Sequence, residues 1–87
     1  MKRRAEWAPR ALDDLAGIAR TDRRQATRIE VAVERFAETG HGDTLKLAGQ
    51  GGLYRLRVGD WRVIFTYEDR DLVVLALRVL NRRDAYR

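Results

Sequence analysis

The chain is 87 residues long, 45% hydrophobic and 36% charged, with 18 basic against 13 acidic residues and a net charge of +5. That length supports one domain with a single modest core, and no apolar run approaches the ~18 residues that a membrane-spanning helix needs. The absence of cysteine and the single histidine, His41, exclude a disulfide scaffold, a thiolate nucleophile and a histidine-based metal centre.

The excess of positive charge points to a polyanionic partner, whether RNA, DNA or an acidic protein segment. The opening Met1-Lys2-Arg3-Arg4 is basic, but Glu6, Pro9, Arg10, Asp13 and Asp14 leave no apolar stretch behind it as a secretory signal requires, so a cytoplasmic location is expected. Over residues 2 to 8 the apolar Ala5 and Trp7 alternate with Arg4 and Glu6, which predicts a short edge strand. Pro9 suits the first position of a helix, where its missing N–H and fixed φ cost nothing. From Pro9 to Arg20, Leu12, Leu15, Ala16 and Ala19 recur at the spacing of one helix face, with Asp13 and Asp14 near the positive end of the dipole. Thr21-Asp22 signals the next cap, and Gln25 three residues after Asp22 resembles a capping box. The second helix carries Ala26, Ile29, Val33 and Phe36 on one stripe, flanked by Ala32 and Ala37, and ends before Gly40. So short a link predicts an antiparallel helix hairpin. Its outer charges, Arg23, Arg24, Arg28, Glu30, Glu34 and Arg35, read as solvated surface. Residues 39 to 52 read as a glycine-rich connector interrupted by Leu45-Lys46-Leu47, with His41 a surface residue within it. The glycines are not a phosphate-binding loop, because no lysine-serine or lysine-threonine pair follows and the next element is a strand.

Residues 53 to 62 alternate apolar and basic side chains up to Gly59-Asp60. A two-residue loop there predicts a hairpin with Val58 opposite Trp61, Arg57 opposite Arg62 and Leu56 opposite Val63. Side chains repeat every two residues, so Tyr54, Leu56, Val58, Trp61, Val63 and Phe65 share a core face while Arg55, Arg57 and Arg62 share the other. Like charges across a strand pair cost about 0.2 to 1 kcal/mol, whereas clustered guanidiniums suit an anion with several oxygens. Trp61 to Glu68 continues as a strand, Asp69-Arg70-Asp71 turns, and the apolar run Leu72 to Leu80 predicts a central strand. The tail from Asn81 to Arg87 is basic, holds Tyr86, and leaves the sheet at the end where it can fold over the arginine face. The expected fold is therefore α+β: a two-helix hairpin packed on one face of a mainly antiparallel four-stranded sheet, in the order β-α-α-β-β-β, as a single domain over 1–87.

This order of elements, and above all YRLRVGDWRVIF (54 to 65) and LRVLNRRDAYR (77 to 87), resembles the RelE/ParE superfamily of toxins from type II toxin–antitoxin systems. The resemblance covers the whole chain. It implies one of two activities: a ribosome-dependent endoribonuclease that cuts messenger RNA, as in the RelE branch, or a non-enzymatic inhibitor of DNA gyrase, as in the ParE branch. The RelE pattern has two basic residues on the second strand, an arginine early in the third, and an arginine and a tyrosine near the C-terminus. Arg55 and Arg57, Arg62, Arg82 and Tyr86 fill these positions. By this resemblance Arg57, Arg62, Arg82 and Tyr86 form the catalytic set, Arg55 and Arg83 bind substrate, and no metal or cofactor takes part. The implied reaction is attack of a ribose 2′-hydroxyl on the adjacent phosphate, with Tyr86 stacking on a base. The implied partners are a cognate antitoxin and ribosome-bound messenger RNA, or alternatively DNA gyrase. Relatives often carry lysine where this chain has Arg55 and Arg57, and histidine at the position of Asn81.

Overall fold

The computed structural model describes residues 2–49 and 51–83. Its elements run β1 (Arg4–Trp7), α1 (Pro9–Thr21), α2 (Arg23–Thr39), β2 (Asp43–Lys46), β3 (Tyr54–Val58), β4 (Trp61–Glu68) and β5 (Val73–Asn81). Pro9 opens α1 as expected. Asp22 caps α2 by accepting from the Gln25 amide at 3.2 Å, which satisfies one of the orphan donors of the first turn. At its other end Gly40 takes φ 78°, and its amide donates to the Phe36 carbonyl. That left-handed conformation costs glycine nothing.

The α2 stripe is buried as predicted, through Ala26, Ile29, Val33, Phe36 and Ala37. The α1 stripe is rotated. The residues it buries are Ala11, Leu15 and Ile18, while Leu12 and Ala16 are exposed. Leu12, Leu15, Ala16 and Ala19 fit helical spacing just as well, so periodicity alone could not choose between the two faces. Docking decides it: the observed rotation carries Asp14 to β5, where it is bound.

The sheet has five strands in the order β1-β5-β4-β3-β2, not four. The additional strand, β2, lies inside the predicted connector and pairs antiparallel with β3 from Asp43↔Arg57 to Lys46↔Tyr54. It is a short edge strand exposed throughout, so it buries no alternate face and has no period-two signal to read. The sheet is mixed, because β1 runs parallel to β5 from Arg4↔Val73 to Trp7↔Ala76. Both helices lie on one face, with α1 and α2 packed together, α1 on β5, and α2 over β1 and β3.

The hairpin has the predicted register, with Val58↔Trp61, Arg57↔Arg62 and Leu56↔Val63. Gly59, the first loop residue, takes φ 60°, the position that a II′ hairpin turn reserves for glycine. Leu56, Val58, Val63 and Phe65 enter the core, and Tyr54 and Trp61 pack on it. Phe65 contacts Phe36 at 5.2 Å between ring centroids and Tyr54 at 5.5 Å. Strand β5 is interior, but it contains a bulge. Opposite the Ile64–Phe65 step the pairing moves from Arg78 to Ala76, so Leu77 is the extra residue. The bulge lets Val74 and Ala76 on one side of it, and Val79 on the other, all reach the core.

Candidate anion-binding site

Directly paired residues on antiparallel strands share a face. The row Asp43↔Arg57↔Arg62↔Leu80 therefore crosses the face that the helices leave open, followed by Leu45↔Arg55↔Ile64↔Arg78. The three predicted arginines of the hairpin stand together on this outer face, but their environments differ.

Arg62 is buried, with 7% of its surface exposed. Its guanidinium Nη1 donates to the carbonyls of Gly59 and Trp61, both at 3.0 Å. Taking a cation out of water costs several kcal/mol unless polar groups replace the lost hydration; the hairpin turn supplies two carbonyls, so the charge is held in place. Arg57, its direct partner, is exposed and makes no side-chain hydrogen bond or ion pair among the described residues. One cation is thus fixed and its neighbour is available.

Arg55 is half-hidden, its side chain 14% exposed, and donates from Nη1 to the Asp43 carbonyl and carboxylate at 3.2 and 3.3 Å. Its Nε is buried without a partner. Asp43 is also the residue opposite Arg57, so Arg55 leans one step along the sheet towards the Arg57–Arg62 pair. Arg82 joins the same end: its amide donates to the Asp60 carbonyl at 2.8 Å, and its guanidinium lies 3.9 Å from the Asp60 carboxylate. The Gly59-Asp60 turn therefore gathers Arg62 from one side and Arg82 from the other. Arg83 is exposed, its amide donating to Asn81 Oδ1 at 3.2 Å. Asn81 stands opposite Trp61, on the helix side of the sheet. Tyr86 lies outside the described residues.

Sequence reading did not mark Asp43 or Asp60 as partners of arginines. The β2 register brings Asp43 to Arg55, and the path of the chain after β5 brings Asp60 to Arg82; neither contact has a local signature. Asp14 on α1 is the third such residue. It accepts from Arg78 Nε at 2.9 Å, from Arg78 Nη2 at 3.3 Å and from the Val79 amide at 2.8 Å, on the edge of β5 beyond the last pair with β1. The hydrogen bond to Asp14 is the main cause that raises the Arg78 pKa above its ordinary value.

Among the described residues no group of three or more histidines and carboxylates is placed to hold a metal ion. The cluster's chemistry is permanent positive charge in fixed geometry: guanidiniums do not titrate near neutral pH, so they stabilise an anion and do not shuttle protons.

A sequence profile described as the ParE toxin of type II toxin–antitoxin systems, parDE, matches residues 5–86. No curated protein sequence matches the chain. Among solved structures, the RelB–RelE antitoxin–toxin complex from Methanococcus jannaschii is similar with a TM-score of 0.72 and 22% identity, over 93% of this chain and 94% of that one. The archaeal RelE–RelB complex from Pyrococcus horikoshii is similar with a TM-score of 0.63 and 26% identity, covering 97% and 99% of the two chains. The YoeB/ParE toxin from Agrobacterium tumefaciens is similar with a TM-score of 0.75 and 18% identity, covering 90% and 96%.

Proposed function

The chain belongs to the ParE toxin family of type II toxin–antitoxin systems, within the RelE/ParE superfamily, and from that premise we propose that it is a ribosome-dependent endoribonuclease that cuts messenger RNA and is held inactive by a cognate antitoxin. The observation that carries this reading is the pairing of exposed Arg57 with buried Arg62 beside a turn that also holds Arg82. The RelE-like shape of the fold and the antitoxin-bound state of several similar structures support it.

In the proposed reaction the 2′-oxygen of a ribose bonds to the adjacent phosphorus and loses its proton to solvent. The bond from phosphorus to the 5′-oxygen of the next nucleotide breaks, and water protonates the leaving oxygen. The products are a 2′,3′-cyclic phosphate and a 5′-hydroxyl. Negative charge builds on the non-bridging oxygens, where Arg57, Arg62 and Arg82 stabilise it; each such contact is worth ~10²–10³ in rate. Arg55 and Arg83 bind the flanking backbone, and Tyr86 stacks on an unpaired base. Arginine keeps its proton in proteins and an asparagine at position 81 carries none, so the protein's contribution is electrostatic and positional.

The test is cleavage of messenger RNA on programmed ribosomes by purified, antitoxin-free protein. Wild-type protein is expected to cut. Arg82→Ala, at an exposed residue with little bearing on folding, is expected to slow cutting about a hundredfold. Intact messenger RNA, or inhibition of gyrase supercoiling with no RNA cut, overturns the reading.

A further inference from the structure

Carboxylates are sparse on the sheet face that carries the arginines. Glu6 and Glu68 stand towards its far end, opposite Leu75 and Val73 of β5, and Glu6 is bound to Arg4 at 2.8 Å. At the arginine end, among the described strand residues, one carboxylate shares the face: Asp43, on the edge strand β2, in register with Arg57 and through it with Arg62. Asp60 lies in the turn, 3.9 Å from Arg82, with both side chains mostly in solvent. Arg55 stands two residues from Arg57, about 7 Å along the strand, and its Nη1 is directed to Asp43.

The contact that holds Arg55 is a weak one of its kind. A guanidinium at its best gives a carboxylate two parallel N–H groups at about 2.7–2.9 Å. Here the single nitrogen Nη1 is shared between the Asp43 carbonyl at 3.2 Å and the Asp43 carboxylate at 3.3 Å, while Nε is buried with no acceptor. A buried donor without a partner destabilises the arrangement that contains it. The Asp43 side chain is 58% exposed, so water screens the pair and its net contribution is small. A phosphodiester seated between the two rows brings two non-bridging oxygens. It can replace the carboxylate at Arg55, give Nε an acceptor, and supply an anion to Arg57, whose side chain has none among the described residues.

We propose that Asp43 is a positioning residue of the anion site: its carboxylate holds Arg55 at the sheet edge as an internal counter-ion, and an arriving phosphodiester displaces it, so that the guanidinium turns from β2 onto the phosphate beside Arg57. Asp43 thereby sets how tightly, and with what dependence on salt, the site takes an RNA backbone. With the carboxylate in place Arg55 adds no net charge to the approach, and only a phosphate close enough to replace it recruits that cation. The inference deepens the proposed function. It rests on the site binding RNA, and not on its cutting RNA.

The experiment is fluorescence anisotropy on the intact chain with a labelled single-stranded 2′-O-methyl RNA oligonucleotide, which lacks the attacking hydroxyl and cannot be cut. Asp43→Asn keeps the size of the side chain and the backbone carbonyl that Arg55 also uses. It is expected to bind about three- to tenfold tighter, and the plot of log K against log salt is expected to steepen by about 0.7, because one more uncompensated cation faces the strand. Glu68→Gln removes the same charge about 20 Å along β4 from Arg62, beyond the screening length, and is expected to change affinity less than twofold. In an Arg55→Met background the gain from Asp43→Asn is expected to shrink to about twofold or less. In side-chain NMR of wild-type protein the Arg55 Nε–H proton is expected to move downfield as RNA gives it an acceptor. No binding of the RNA, an unchanged affinity and slope in Asp43→Asn, equal tightening with and without Arg55, or an unmoved Nε–H signal overturns the inference. Cleavage of messenger RNA by a protein whose affinity ignores Asp43 overturns this inference alone, and the expected changes in affinity without cleavage overturn the nuclease reading alone.

Discussion

Asp14 is the side chain whose removal tests the tertiary structure most directly, because a single carboxylate ties helix α1 to strand β5 across 64 and 65 positions of sequence. Asp14→Ala removes the acceptor of the Arg78 guanidinium and of the Val79 amide. Hydrogen bonds to charged groups contribute about 1.5–3 kcal/mol when buried. The side chains here are 19% and 33% exposed, so the lower end applies to the ion pair, and the orphaned amide adds about 1 kcal/mol. The expected loss is therefore about 2–3 kcal/mol, or about 10–20 °C in Tm for a domain of this size. Arg78→Met, which leaves the amide bond intact, is expected to cost about half as much. A double-mutant cycle between the two should return a coupling of about 1 kcal/mol. Thermal and urea unfolding supply these numbers. Hydrogen exchange supplies the local one: the Val79 amide should exchange at least tenfold faster in Asp14→Ala. A Tm lowered by less than about 3 °C, or a coupling near zero, would refute the view that this carboxylate fixes the end of β5 from which Asn81 and Arg82 depart.

Arg62→Met keeps the buried stem but leaves the carbonyls of Gly59 and Trp61 without their donor. Relief of repulsion from Arg57 offsets part of this, so a net loss of about 1–2 kcal/mol is expected in urea unfolding, together with loss of toxicity; an unchanged midpoint would mean that the guanidinium does not anchor the turn. Gly42→Ala should destabilise by about 1–3 kcal/mol for steric reasons alone, since the new Cβ would lie 2.7 Å from Leu56 Cδ1 and 3.4 Å from Phe36 Cδ1; pairing it with Leu56→Val should recover part of the loss. Burial raises the pKa of Tyr67 above its ordinary 10.0, against the lowering effect of Arg3, whose guanidinium stands 4.8 Å over the ring. The folded state thus favours the protonated phenol, so this contribution is fully present below pH 10.0 and is lost as pH rises through the folded value. Tyr67→Phe should flatten the alkaline fall in stability, and a fall of the same steepness in the variant would count against the assignment.

The chain's own residues determined whatever depends on near neighbours. Alternation from Tyr54 to Phe65 and the glycine at position 59 fixed the hairpin register, because strand parity has period two and the II′ turn accepts glycine at its first position. The stripe from Ala26 to Phe36 fixed the buried face of α2 for the equivalent reason at helical spacing. What the tertiary structure alone decided is set between residues far apart: the parallel docking of β1 on β5, the recruitment of Asp43–Lys46 as an edge strand, the rotation of α1, and the carboxylates that hold Arg55, Arg78 and Arg82. A four-residue exposed strand has no buried face to mark it, and an ion pair spanning most of the chain leaves no periodic trace. Both exist only once the core has brought their backbones together, since the free energy that selects them comes from packing and not from local propensity.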